Sequence, residues 1–235
     1  MYYGLINSMN RVSTPAIPIV SSGLKLYYDV SNPLSYSGSG TTLNDLSGNS
    51  NTATLYNGVG YSSSNGGVLT LDGVNDYISA PHSTSIALTN TGGVFIWLKL
   101  NVSGSFRSIY IEKGDSINNA SSYGIFKYDS YEYVEISSAS TINQIFLTPS
   151  VTVWQQIGLV WNGSTVKKYV NGAEVSSVAQ TINVNDLGSA LTIGKRTLSS
   201  GFYCDMIFGE CYIYDSITPS NITANFNATK TRYGL

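Results

Sequence analysis

Apolar and polar positions alternate along most of this chain in short runs, and the alternation predicts strands. Residues 23–30 (GLKLYYDV) set Leu24, Leu26 and Tyr28 against Lys25, Tyr27 and Asp29, the two-residue period of a strand with a buried face. TATLYN (52–57), GGVLTLDG (66–73) and DYISA (76–80) follow, each bounded by turn-forming residues. In GVFIWLKLNV (93–102), Phe95 and Trp97 oppose Val94, Ile96 and Leu98, so both faces are apolar and a central strand is predicted. FRSIYIEKG, SYGIFKY, YEYVEISS, INQIFLT, VWQQIGLVWNG, STVKKYVNG, AEVSSV, SALTIGK and FYCDMIFGECYIYD complete the set. Asp129-Ser130 predicts a tight hairpin. Asn162-Gly163 and Asn171-Gly172 predict type I′ hairpins, whose two central residues need positive φ.

One helix is predicted, over 219–230. Thr218 suits the N-cap, Pro219 the first helical position, and Ile222 and Phe226 form an i, i+4 apolar pair. Its expected place is over one end of the strand layers. Residues 1–22 show neither period, and Pro15 and Pro18 favour extended chain, so they read as an arm before a single all-β domain, 23–235. Tyr2, Tyr3, Leu5, Ile6, Ile17 and Ile19 are its apolar anchors, expected to dock on a neighbouring subunit.

Charge narrows the partners. Twelve Lys and Arg against fourteen Asp and Glu give a net charge of −2, which argues against nucleic acid and against an anionic membrane. No basic start leads into an apolar stretch, and no run nears the roughly 20 apolar residues that span a bilayer, so neither signal peptide nor membrane insertion is expected. Cys204 and Cys211 are seven apart, which on a regular strand puts them on opposite faces about 23 Å apart; free, half-buried thiols are expected.

The order of DLSGNSNTATLYNGV (45–59), LDGVNDYIS (71–79), FIWLKL (95–100), VWQQIGLVWNGSTVKKYVNGAEV (153–175), LTIGK (191–195) and GECYIYDSITPSNI (209–222) resembles laminin-G-like domains of the concanavalin A-like superfamily. The resemblance implies a two-sheet antiparallel jelly-roll sandwich. At the two ends, GLKLYYDVSNPLSYSGSGTTLNDLSGNSN and ITANFNATKTRYG resemble laminin-G-like virion structural proteins of tailed bacteriophages. This second likeness implies a capsid-decoration, tail or fibre protein, assembled in the host cytoplasm with other virion proteins and further copies of itself. Two positions depart from the family pattern. Gln155-Gln156 replaces a His-His pair, and Phe208-Gly209-Glu210-Cys211 loses an acidic side chain.

The residues bear on three chemistries. Glycoside hydrolysis needs two carboxylates on a common face, whereas Glu132 and Glu135, three apart, fall on opposite faces, and the sole histidine, His82, sits in a polar loop. No enzyme is expected. Calcium, the one cofactor considered, has oxygen donors at Asp45 with Ser47, Asn49 and Asn51, at Asp72, Asn75 and Asp76, and at Glu112 with Asp115; Asp45 and Asp76 are the nominal ligands. Sugar binding has a candidate platform in Tyr128, Tyr131 and Tyr133, with Asp129 and Glu132 as hydrogen-bonding groups; the same rings also suit a protein interface or plain surface, while Trp97, Trp154 and Trp161 read as core. The expected function is therefore a non-enzymatic virion protein presenting a lectin-like sandwich toward host polysaccharide, or else a stand-alone carbohydrate-binding module.

Overall fold

The computed structural model describes residues 18–101, 107–115, 120–138, 141–186, 188–198 and 201–235. Its strands begin with β1 (Leu24–Asp29), β2 (Thr42–Leu43), β3 (Ala53–Tyr56), β4 (Gly60–Ser62), β5 (Val68–Asp72), β6 (Tyr77–Ala80), β7 (Thr91–Leu100) and β8 (Arg107–Asp115). They continue with β9 (Ala120–Tyr128), β10 (Tyr131–Ser138), β11 (Thr141–Leu147), β12 (Gln155–Asn162), β13 (Thr165–Val170), β14 (Ala173–Ala179), β15 (Leu191–Ile193) and β16 (Asp205–Tyr214). Sheet A runs β14-β13-β12-β7-β16-β5-β4, with β1 also paired to β16, and sheet B runs β11-β10-β9-β8-β15-β6-β3-β2. All the recorded pairings are antiparallel, and the two sheets face each other as a jelly-roll sandwich. The expected architecture is the one observed.

Between the sheets lies one apolar core that includes Leu26, Tyr28, Ile96, Leu98, Ile125, Val134, Ile136, Leu159, Trp161 and Ile213. Each fully buried aliphatic or aromatic side chain there contributes roughly 1.5–3 kcal/mol of transfer free energy. β7 is central, as its two apolar faces predict. The hairpins form where expected, with Asp129 at φ 51° between β9 and β10, and Asn171 and Gly172 both at positive φ between β13 and β14. At Asn162-Gly163 only the glycine is at positive φ, because Asn162 is still strand and its Oδ1 accepts the Ser164 and Thr165 N–H groups.

A bulge overturns the expected placement of the thiols. The pairing of β16 with β7 slips between Phe208 and Glu210, so Gly209 is an extra residue that resets the parity of the strand. Cys204, Met206 and Phe208 before it and Cys211 and Ile213 after it all enter the same core. Both cysteines are free and fully buried, not half-buried.

The C-terminal segment does not close an end of the sandwich; it lies on the outer face of sheet A. α1 (Pro219–Thr229) starts at Thr218, whose side chain accepts the Asn221 N–H, and runs into a 3-10 turn at Lys230–Tyr233. Trp97, pointing outward from β7, stacks on Tyr233 at 4.2 Å and on Phe226 at 5.6 Å, and its Nε1–H donates to Thr229 Oγ1 at 3.0 Å. Trp161 lies in the core between the sheets, whereas Trp154 is half-buried on this outer layer, 4.6 Å from Tyr233. Arg232 fixes the end of the segment through Asp29 Oδ1 and the carbonyls of Asn65 and Gly67, each at 2.6 Å.

The last residues of the expected arm join this layer. Ile19 is buried among Tyr27, Phe95, Tyr212 and Ile222, the Val20 N–H donates to Asn225 Oδ1, and the Tyr214 hydroxyl donates to the Val20 carbonyl. Ile19 is thus seated on its own sandwich and not held out for a neighbour. Tyr2, Tyr3, Leu5, Ile6 and Ile17 lie outside the described residues.

A Cβ on Gly209 would collide with the buried Tyr233 ring. Gly209→Ala is expected to cost about 1–3 kcal/mol by overpacking, read as a lower urea midpoint with an unchanged slope. A midpoint equal to that of the parent protein would contradict this account of the bulge.

Candidate functional site

The chain covers the central outer face of sheet A with its own C-terminal segment, while the outer face of sheet B carries exposed rings at β10 and β11. Alternation decides which side chains stand there. Ile125, Val134, Ile136 and Ile145 point into the core, so Phe126 and Tyr128 on β9, Tyr131 and Tyr133 on β10 and Phe146 on β11 point out. Register then brings the rings together. Tyr131 pairs with Tyr128 and Tyr133 with Phe126. Phe126 and Tyr133 stack at 5.3 Å, Tyr131 meets Phe146 edge-on at 5.1 Å, and Tyr133 lies 5.6 Å from Phe146. The Arg107 guanidinium sits 4.2 Å over the Tyr128 ring. Tyr131 and Phe146 remain 44% and 52% exposed, and Asp129 is exposed at the adjoining turn.

Glu132, expected beside these rings, is not among them. It points into the core, where its carboxylate meets Lys168 Nζ at 2.8 Å, and Lys168 also donates to the Glu132 carbonyl at 3.0 Å. Burial raises the Glu132 carboxyl, and Lys168 opposes that shift. Glu132 and Glu135 do lie on opposite faces, as their spacing predicts.

A different acidic pair escaped the sequence. Gly124 is the cross-strand partner of both Glu112 on β8 and Glu135 on β10, so the two side chains flank a position with no side chain of its own. Both are buried. The Thr197 N–H donates to Glu112 Oε1 at 3.0 Å, while Glu135 Oε1 has no hydrogen-bond partner. Burial pushes the Glu135 carboxyl up to about 8, with Glu112 adding to the rise and Arg107 opposing it. The 22 intervening residues hide this pair from any reading by spacing; only the strand register reveals it.

The calcium candidates differ in what they offer. Asp45 is used up by its own loop. Its Oδ1 accepts the Tyr27 and Ser47 N–H groups, and its Oδ2 accepts the Ser47 hydroxyl and the Asn51 N–H. Asp76 is different, because it is buried and its Oδ1 has no partner. Burial, then the neighbouring Asp72, raise its carboxyl. It lines an open hollow of about 360 Å³ with Asn57, Gly58, Asp72, Asn101 and Asp205. Among the described residues, no three Asp, Glu, His or Cys side chains stand close enough to share an ion, so any calcium here would depend on neutral oxygens. His82 lies at the surface, with Asp186 at 3.4 Å and Lys113 at 3.3 Å.

Residues 72–222 match the family model described as the concanavalin A-like lectin/glucanases superfamily. Among curated proteins no sequence match was found. The fold is similar to the binding domain of Paraclostridial Mosquitocidal Protein 1 (TM-score 0.71, 16% identity, covering 88% of this chain and 52% of that one). It is also similar to the binding domain of botulinum neurotoxin DC, solved with rat synaptotagmin II (TM-score 0.70, 14% identity, 89% and 52% covered). Domain 4 of AbnA, a GH43 extracellular arabinanase from Geobacillus stearothermophilus solved with arabinotriose, gives TM-score 0.66 at 18% identity, covering 88% of this chain and 98% of that domain. The chain spans about half the length of the two toxin binding domains. At these identities the likeness is one of fold.

A carboxyl whose folded value lies above its ordinary 4.5 holds its proton more tightly in the folded protein, so it favours folding at low pH. That contribution is lost as pH rises toward about 8, the value for both Glu135 and Glu210, where burial is the main cause. Unfolding by urea is therefore expected to show lower stability at pH 8.5 than at pH 5.5, changing at up to about 1.4 kcal/mol per pH unit for each group. Glu135→Gln should remove part of that slope. Stability that rises with pH over this range would contradict the assignment.

Proposed function

The chain belongs to the concanavalin A-like lectin/glucanases superfamily, and from that membership we propose that it is a non-catalytic binding module that holds carbohydrate on the outer face of β8–β11. The observation that carries this reading is the exposed ring surface of Tyr131 and Phe146, continued by Tyr133 and Tyr128. Flat apolar sugar faces stack on such rings, while Asp129 and the tyrosine hydroxyls supply hydrogen bonds. The fold is shared with a domain solved in complex with arabinotriose, which agrees with a sugar ligand.

Burial argues against hydrolysis. Glu112 is 0% exposed and Glu135 2%, one spent on a backbone N–H and the other beneath side chains. A glycosidase needs both carboxyl groups open to the scissile bond. The pair is better understood as part of the foundation of the face than as its chemistry.

A bacteriophage virion setting, with the face turned toward host polysaccharide, is the finer form of the proposal. Its support is local. The two end segments that resemble phage proteins meet through the Asp29–Arg232 ion pair at 2.6 Å. In that setting weak single sites gain from repetition on a particle. The residues before Pro18 are proposed to serve as the tether to other virion proteins or to further copies of this chain. Calcium, if bound, is proposed at Asp76 and not at Asp45, because only Asp76 keeps a carboxylate oxygen without a partner.

Two outcomes are expected. On a glycan array the protein should bind at least one carbohydrate class, and Tyr131→Ala should weaken that binding about three- to tenfold, the worth of one ring contact, with no change in melting temperature. A blank array, or an unaffected Tyr131→Ala variant, would set the reading aside. For calcium, calorimetry should register heat and a raised melting temperature in the parent protein and neither in Asp76→Asn. Equal heats in both would remove Asp76 as the ligand.

A further inference from the structure

The outer face of sheet B carries a second group of rings that the site above does not use. Tyr56 on β3 and Tyr77 on β6 are cross-strand partners and lie stacked at 4.5 Å with planes 6° apart. Tyr203 joins Tyr77 at 6.5 Å, and the Lys195 ammonium sits 4.3 Å over the Tyr77 ring. Between the two groups stands Phe202, whose carbonyl accepts the Ile109 N–H of β8. Arg107 lies 5.4 Å from the Phe202 ring as well as 4.2 Å from Tyr128, and Arg196 lies 5.6 Å from Phe202. Rings and cations therefore alternate across the face, from Phe146 and Tyr131 through Arg107 and Phe202 to Lys195, Tyr77 and Tyr56. From β11 to β3 the sheet has six strand intervals, about 29 Å at the usual spacing of about 4.8 Å.

Between the two ring groups the exposed charge is positive. Glu112 and Glu135 are buried beneath the band, and its other acids lie at the ends, Asp129 at the β9–β10 turn and Asp72, Asp76 and Asp205 in the hollow lined by Asn57 and Gly58. Arg107 and Lys195 are partly exposed. Cations parked over aromatic faces keep their charge available to a second, anionic partner.

We infer that the whole band is one extended binding surface whose ligand is an acidic polysaccharide, its sugar rings lying on the two aromatic groups and its carboxylates or sulfates meeting Arg107 and Lys195. The inference rests on the carbohydrate reading above and adds to it the ligand's charge and the second aromatic group. Single-stranded nucleic acid would also offer flat rings and anions. It carries a phosphate at every nucleotide, however, and three cations grouped at β8 and just after β15, in a chain of net charge −2, do not match a phosphate row along the whole band.

The test is a binding panel in which each acidic polysaccharide is measured beside its carboxyl-esterified or desulfated counterpart, with an oligo(dT) strand alongside, all on the full chain. At least one acidic polymer should bind ten times more tightly than its neutral counterpart, with affinity falling as salt rises. Lys195→Gln should lower that ratio at least threefold while leaving the neutral form unaffected. Tyr56→Ala should weaken both forms, and matched melting curves for the two variants would show that the fold is intact. Equal affinity for acidic and neutral forms would overturn the inference and leave the carbohydrate reading standing. A panel on which no polysaccharide binds would overturn both, and tight oligo(dT) binding with no polysaccharide binding would replace the ligand class.

Discussion

A strand sends its side chains alternately to its two faces, and in β7 and β16 both sets are largely apolar, so neither face of sheet A can be left to water. One face is met by sheet B. The other is met by the chain's own C-terminal segment, with Trp97 stacked against Phe226 and Tyr233 and Ile19 completing the cover. The layer also encloses Glu210, which burial raises to about 8. Tyr27 Oη lies 3.2 Å from Asp29 and 3.0 Å from Glu210, yet a hydroxyl has one proton to give. With Glu210 protonated, its hydroxyl can donate to Tyr27 while Tyr27 donates to Asp29, which also pairs with Arg232. The cover is held by packing and by the hydrogen-bonded group of Tyr27, Asp29, Glu210 and Arg232.

With the central strands of sheet A covered on both sides, the exposed ring surface lies on sheet B. Its outer face is built on polar groups that most sheets would not bury. Gly124 leaves room for the Glu112 and Glu135 side chains, and the loop after β15 lies across them, with Thr192 donating to the Lys195 carbonyl and the Thr197 N–H donating to Glu112. The rings and cations that stand highest on this face are supported by those groups. Fold, cover and binding face follow from one decision about which strands are apolar on both sides.

The strand pattern was legible in the sequence because burial imposes a two-residue period: the central position of β7, the β9–β10 hairpin and the Asn171-Gly172 turn all follow from local residues. So does the grouping of Tyr128, Tyr131 and Tyr133, since one hairpin carries all three. Elsewhere a single extra residue defeats the reading. Gly209 reverses the parity of β16 and turns Cys211 into the core, and nothing in the composition marks it as a bulge and not as an ordinary strand glycine. Partners set by register across separate strands are equally hidden, as with Glu112 and Glu135 or Tyr56 and Tyr77. The helix was visible from its cap and apolar pair, but its seat on Trp97 was not, because Trp97 reads as core whichever face it occupies.

The central claim is that ligand meets the outer face of sheet B and not the covered face of sheet A. Amide chemical-shift mapping during titration with a bound polysaccharide tests it most directly. The account predicts perturbations concentrated at 126–133 and 144–147, extending to 54–56, 77–79 and 195–203, with Pro219–Tyr233 silent. Perturbations concentrated on Pro219–Tyr233 and β1, with the tyrosines of β9 and β10 unmoved, would contradict it.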